Sequence, residues 1–184
     1  GDGVNDAPAL KQAEVGIAVR NATDAARAAA SVALTAEGLS GIVELVETGR
    51  QSFQRMYTWI INRIVKTFQM SIFLALSFFI LRTLVTTTAH LILLLFLIDF
   101  ITISLATDNV TPSRNPERWE IGKMTKAALS ISSIVLLEMF IGLFIALNVL
   151  SLGISQLYTF VFYMLMVTGI TNVFVVRERK AFWR

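Results

Sequence analysis

Four long apolar stretches, residues 57–81, 89–107, 127–150 and 157–176, decide most of what this chain can fold into. A helix crossing the hydrocarbon core of a bilayer, about 30 Å thick, needs about 20 mostly apolar residues. Backbone groups in lipid must be satisfied internally, so each stretch is expected to be a helix. The expected fold class is an α-helical multi-pass membrane protein with four spans, preceded by the last part of an α/β domain. Charged residues make up only 16% of the chain, against about 25% in a soluble one. With no cysteine, disulfides, thiol chemistry and cysteine-bound zinc are excluded, and one histidine leaves no basis for a His-rich metal site. A net charge of +3 does not point to nucleic acid, because the basic residues flank apolar stretches and suit lipid headgroups.

Those basic residues also set direction. Arg50, Arg55, Arg63 and Lys66 precede or enter the first span, and Arg82 alone follows it. Arg114, Arg118, Lys123 and Lys126 lie between the second and third spans, none lies between the third and fourth, and Arg177, Arg179, Lys180 and Arg184 end the chain. Such alternation places the basic loops, the N-terminal part and the C-terminal tail (177–184) in the cytoplasm. Trp59 and the Phe182–Trp183 pair are expected to anchor at the membrane interface.

Residues 1–49 carry the soluble part. A short helix over 9–13, a buried strand over 15–19, an alanine-rich helix from Thr23–Asp24 to Ala30, a strand over 31–35 and a helix resuming near Leu39 give an α/β pattern. Two short strands bury too little apolar surface to stand alone, so this part is expected to be the end of a domain whose preceding strand leads into Gly1. Its opening, Gly1-Asp2-Gly3-Val4-Asn5-Asp6-Ala7-Pro8-Ala9-Leu10, is a glycine loop entering a helix. Glycine permits close backbone approach to an anion, and Pro8 suits a first helical turn. Carboxylates beside such a loop can hold Mg²⁺ together with a phosphate. Taken alone, Gly, Asp and Asn are also ordinary turn residues.

From residue 40 to 81 the sequence has no proline; its first half is polar and its second apolar. A helix of that length would extend about 63 Å, well beyond one membrane crossing. It is expected to be a stalk continuing directly into the first span. Pro112 and Pro116 stop the second span from extending into the loop that follows.

Ionisable side chains inside the membrane are functional candidates by default. Asp99 lies near the middle of the second span. Asn62, Lys66 and Gln69 recur at helical spacing on one face of the first, so a meeting of that stripe with Asp99 would put one acid beside donors and a cation. A lone carboxylate suits proton carriage better than a bare calcium ion, which takes about 6–8 oxygens. The structural alternative is that Asp99 only pairs with Lys66 or Arg63 to fix packing, and Lys66 could simply snorkel toward the interface. Glu138, midway along the third span, is expected to be structural, and His90 interfacial. Asn148 and Asn172 are expected to make helix-packing hydrogen bonds.

The ten opening residues resemble the GDGxNDxPAL hinge motif of P-type cation-transporting ATPases, members of the haloacid-dehalogenase-like superfamily. Phe53-Gln54-Arg55-Met56 is similar to the stalk before membrane helix five of the plasma-membrane proton-pump branch. Leu97-Ile98-Asp99, Asp108-Asn109-Val110, Pro112-Ser113, Pro116 and Trp119 resemble its helix six and following loop. Ile98 departs from the Asn-Asp pairing of some members. The resemblance implies that residues 1–49 end a phosphorylation domain and that the four spans are helices five to eight. By the same match Asp2 ligates the catalytic Mg²⁺, Asn5 touches the phosphoryl group, Asp6 supports metal and loop, and Asp99 falls on an acidic position associated with ion transport.

What the resemblance implies is part of an ATP-driven pump at the plasma membrane, exporting protons, with an aspartyl-phosphate cycle. The sequence contains no DKTGT segment for the phosphorylated aspartate, no TGE loop and no nucleotide-binding domain. ATP and the aspartyl-phosphate would therefore be met through other domains, and this chain alone is not expected to hydrolyse ATP. The alternatives are a pump for calcium, sodium or manganese, and a non-catalytic membrane fragment that binds or regulates a full-length pump.

Overall fold

Gly1 and Asp2 lie in extended form along one edge of a short parallel sheet, and the soluble part is built outward from there. The computed structural model describes residues 1–36, 38 and 40–177. The chain divides into two compact units, Gly1–Arg50 and Gln51–Arg184. In the first, a 3-10 turn at Val4–Asp6 leads into helix α1 (Ala7–Gln12), strand β1 (Ile17–Ala18), helix α2 (Asp24–Ala29) and strand β2 (Val32–Ala33). The strands pair in parallel, Ile17 opposite Val32 and Ala18 opposite Ala33. The free edge of β1 is met by Gly1, whose N–H donates to the Ile17 carbonyl at 2.9 Å and whose carbonyl accepts from Val19 at 3.2 Å.

Both strands are shorter than the apolar runs predict. Val15 turns outward and is exposed, and the chain is pinned at Gly16, so the pairing spans only two residues. Leu10, Ala18, Ala22 and Ala26 form the core of this unit, with three alanines letting the helices close on the sheet. Thr23 caps α2 by accepting from the Ala26 N–H at 3.4 Å. A Cβ on Gly16 would stand 2.3 Å from the Leu10 carbonyl oxygen, and that neighbour is backbone. Gly16→Ala is therefore expected to destabilise the unit by about 1–3 kcal/mol. Protease resistance of this segment in the full-length protein would report it. The expected helix start at Leu39 lies outside the described residues.

The second unit holds the spans. Helix α3 runs Ser40–Leu81, with the division between units falling inside it. Helix α4 runs Thr88–Ile103 and ends in a 3-10 turn, Ser104–Thr107; α5 is Ile121–Asn148 and α6 is Ile154–Arg177. Among the described residues four helices are thus long and apolar enough to cross a membrane. Their burial pattern is the reverse of a soluble bundle. Phe79, Ile80, Phe96, Phe100 and Ile134 are exposed, while Asn62, Lys66, Gln69, Ser132, Thr168 and Asn172 are buried. In water that outer surface would drive aggregation; in lipid it is solvated.

Lipid offers helices no hydrophobic reason to associate, so close packing and polar contacts must hold them. Phe73, Leu94, Ile98, Met139, Val161 and Leu165 form the main core, and Ile61 and Val65 of α3 meet Met124 and Ala128 of α5 in a second. Gly169 on α6 admits Ile98: an added Cβ would lie 2.6 Å from its Cδ1. At one end of the bundle Asp108 joins three segments. Its carboxylate accepts from Arg177 Nε at 2.8 Å and Nη2 at 2.5 Å, and its carbonyl accepts from Arg55 at 2.8 Å. Trp119 packs on Phe53, ring centres 4.5 Å apart, and Gln54 donates to Glu117 at 2.6 Å. Arg55, ahead of the first apolar stretch, and Arg177, at the end of α6, thus meet the start of the loop after α4 at one end of the bundle. Residues 178–184, including Arg179, Lys180, Arg184 and Phe182–Trp183, lie outside the described residues.

Candidate functional site

The glycine loop is organised by Asp6. Its Oδ2 accepts from the N–H of Asp2 at 2.7 Å and of Gly3 at 3.1 Å, curling the loop back on itself. Gly1 sits so close that a Cβ there would stand 2.7 Å from Asp6 Cβ. Pro8 falls in the first turn of α1, where a missing N–H costs nothing. Asp2 and Asn5 project exposed from the same loop. The structure thus separates the residues: Asp6 braces the backbone, while Asp2 and Asn5 face outward. The outward Asp2 carboxylate is a hard oxygen donor of the kind a magnesium ion shares with phosphate and water.

The backbone N–H groups of Asp2 and Gly3 hold the Asp6 carboxyl below its ordinary value of 3.8. A lowered folded-state value means the stabilisation is present above the unfolded value and lost as pH falls through the folded one. The loop is therefore expected to loosen only under acid, below 3.8. Hydrogen exchange of the Asp2 and Gly3 amides against pH would show it, and Asp6→Asn should remove that acid dependence.

Inside the membrane unit, Asp99 on α4 meets two cations from α3. Its Oδ1 accepts from Arg63 Nη1 at 3.1 Å and Lys66 Nζ at 3.2 Å. The Lys66 side chain is only 10% exposed, whereas those of Arg63 and Asp99 are each 48%. Lys66 is thus directed at Asp99 on the neighbouring helix. A groove of about 370 Å³ between α3 and α4 reaches Arg63 and Lys66. A second, of about 380 Å³ and lined along α4, reaches Asp99.

The stripe expected on α3 is divided in its contacts. Asn62 accepts from Asn172 Nδ2 at 2.5 Å, and Gln69 donates to Thr168 Oγ1 at 2.8 Å, so both engage α6. The reason is angular: at about 100° per residue, Arg63 lies roughly 100° from Asn62, and Lys66 lies between them. Arg63, considered from sequence only as a packing partner, thereby joins Lys66 at Asp99; its signal was the i, i+3 spacing of the two cations. The Thr102 hydroxyl folds back to the Ile98 carbonyl of its own helix, and Glu138 is exposed on α5. His90 packs on Phe162 at 5.1 Å, and Asn148 bonds within α5 to Phe144.

Comparison with known proteins gives two kinds of match. Residues 1–46 match the family model for haloacid dehalogenase-like hydrolases. Over 186 residues the chain is 41% identical to a protein named as a cation-transporting ATPase in Methanocaldococcus jannaschii, covering 100% of this chain and 23% of that protein. Plasma membrane ATPase 1 of Saccharomyces cerevisiae is 36% identical over 190 residues, again across 100% of this chain and 20% of its own length. Plasma membrane ATPase 1 of Candida albicans is 35% identical over 190 residues, covering 100% of this chain and 21% of its own length. The chain spans about a fifth of the length of these curated relatives.

Proposed function

Since the chain belongs to the P-type cation-transporting ATPases, we propose that it forms the hinge loop and four membrane helices of an ATP-driven pump that exports protons. The observation that carries this reading is Asp99, a membrane carboxylate held by Arg63 and Lys66. A proton needs a single oxygen lone pair, and its arrival releases the two cations. A calcium ion would need about 6–8 oxygens and would be repelled by both. Among the described residues no group of three or more His, Cys, Asp or Glu side chains is placed to hold a metal.

P-type ATPases generally use Mg²⁺. Here Asp2, with Asp6 behind it, would hold the ion, and Asn5 would face the phosphoryl group. When bound, the ion supplies neutralisation of phosphate charge. Asp6 keeps the loop closed so that Asp2 stays where a ligand is needed. ATP and the aspartyl-phosphate belong to other domains of the whole pump. In this reading α3 runs unbroken from the soluble unit into the membrane and carries the change between them. The basic end of the bundle, the soluble unit and residues 177–184 then face the cytoplasm, and the protein resides in the plasma membrane.

A pump for sodium, calcium or manganese is the second reading, supported by the amide and hydroxyl oxygens of Asn62, Gln69, Thr168 and Asn172. The test is the full-length protein in sealed vesicles, given MgATP in a buffer whose only other cation is an impermeant amine. Internal acidification is the expected result. Hydrolysis that starts only on adding sodium, calcium or manganese, with no acidification, would move the function to the second reading.

A further inference from the structure

Lys66 stands between two sets of partners. Asn62 and Gln69 on its own helix bond to Asn172 and Thr168 of α6, while Arg63 joins Lys66 in bonding to Asp99 of α4. Around α3, Lys66 lies about 40° from Asn62 and about 60° from Arg63, so it borders both faces. Along α3 it falls between Asn62, opposite Asn172, and Gln69, opposite Thr168, which sets it level with that turn of α6. Its ammonium has three donors, one of them on Asp99 at 3.2 Å.

Asn172 is 2% exposed, and its Nδ2 is engaged by Asn62. Its Oδ1 is buried with no hydrogen-bond partner among the described residues. An unmet buried amide oxygen is costly, and it leaves Asn172 with an acceptor open to a further donor. Lys66, one turn along α3 from Asn62, carries two donors beyond the one on Asp99.

We propose that Asn172 Oδ1 is the alternate acceptor for the Lys66 ammonium. While Asp99 is charged, Lys66 donates to it. When Asp99 takes up a proton on its carboxylate, the attraction is lost and the ammonium, still protonated, passes to Asn172. Only the side chain turns; α3 and α6 keep their bonds at Asn62 and Gln69. Asn172 is thus a positioning residue that makes Asp99 easier to protonate. The inference rests on Asp99 as the proton carrier. The charged groups facing Asp99 among the described residues are Arg63 and Lys66. On the other packed elements, Arg177 is engaged by Asp108, Glu138 is exposed on α5, and His90 lies on Phe162.

The test uses the full-length pump in membranes and reads Asp99 protonation directly. A membrane-permeant carbodiimide modifies protonated carboxyls, and mass spectrometry of the Asp99 peptide gives the pH of half-modification without needing turnover. Asn172→Leu removes the alternate acceptor and is expected to move that midpoint acid by about one pH unit, in the range a single partner charge produces. The shift should vanish when Lys66→Met is already present. If Asn172→Leu does not assemble, Asn172→Ala is read for the same sign. An unmoved or alkaline midpoint, or an acid shift that persists with Lys66→Met, overturns the inference. Transport by Asp99→Asn separates the two levels: unimpaired transport rejects the carrier reading itself, whereas lost transport with an unmoved midpoint rejects only the role of Asn172.

Discussion

Asp99→Asn in the full-length pump is expected to abolish ATP-driven transport, at least about 100-fold, the usual scale for removing a positioned proton-transfer group. The amide keeps the shape of the side chain and can still accept from Arg63 and Lys66, but it cannot titrate. It also leaves two cations facing one neutral oxygen, which weakens the contact between α3 and α4. Lost transport could therefore reflect lost assembly, and two further variants separate the causes. Asp99→Glu keeps the charge and the proton and should retain partial transport. Asp99→Asn with Lys66→Met lowers the unpaired charge, so assembly should recover while transport stays absent. Transport at the native rate from Asp99→Asn would end the carrier assignment.

The second large effect is expected at the loop. Asp2→Asn should leave the fold intact, because Asp2 is exposed and the contacts that shape the loop run through its backbone and through Asp6. What it removes is the outward carboxylate. A loss of about 3 kcal/mol of charge stabilisation corresponds to roughly 100-fold in rate. Phosphoenzyme turnover in the full-length pump, measured against magnesium concentration, should fall by that order and need more magnesium. Asp6→Asn should act differently, through loop closure, with a smaller change in magnesium dependence and a larger one in amide exchange at Asp2 and Gly3.

The spans were legible because length and apolarity are properties of the sequence itself, and a bilayer imposes helix on each. The continuous α3 could likewise be read from an absence of proline over residues 40–81. The pairing of strands could not be read so closely. Val15 continues an apolar run yet points to solvent, a choice made by the approach of Gly16 to Leu10. In the membrane, the recurrence of Asn62, Lys66 and Gln69 identified a polar face but not its partners. The division between α4 and α6 depends on small rotations around α3 that only the packed bundle fixes. Asp6 shows the same limit: the motif names it beside Asp2, and only the hydrogen bonds reveal that one braces while the other faces outward.

The ion pair between α3 and α4 also bears on how the bundle is made. An α4 entering lipid alone would carry a bare carboxylate, and an α3 entering alone would carry two cations, each of them costly in hydrocarbon. Joined by the short turn after Leu81, the two segments cancel those charges as they meet. The pairing thus favours α3 and α4 entering lipid together as a hairpin, while α6 meets α3 through the separate amide contacts at Asn62 and Gln69.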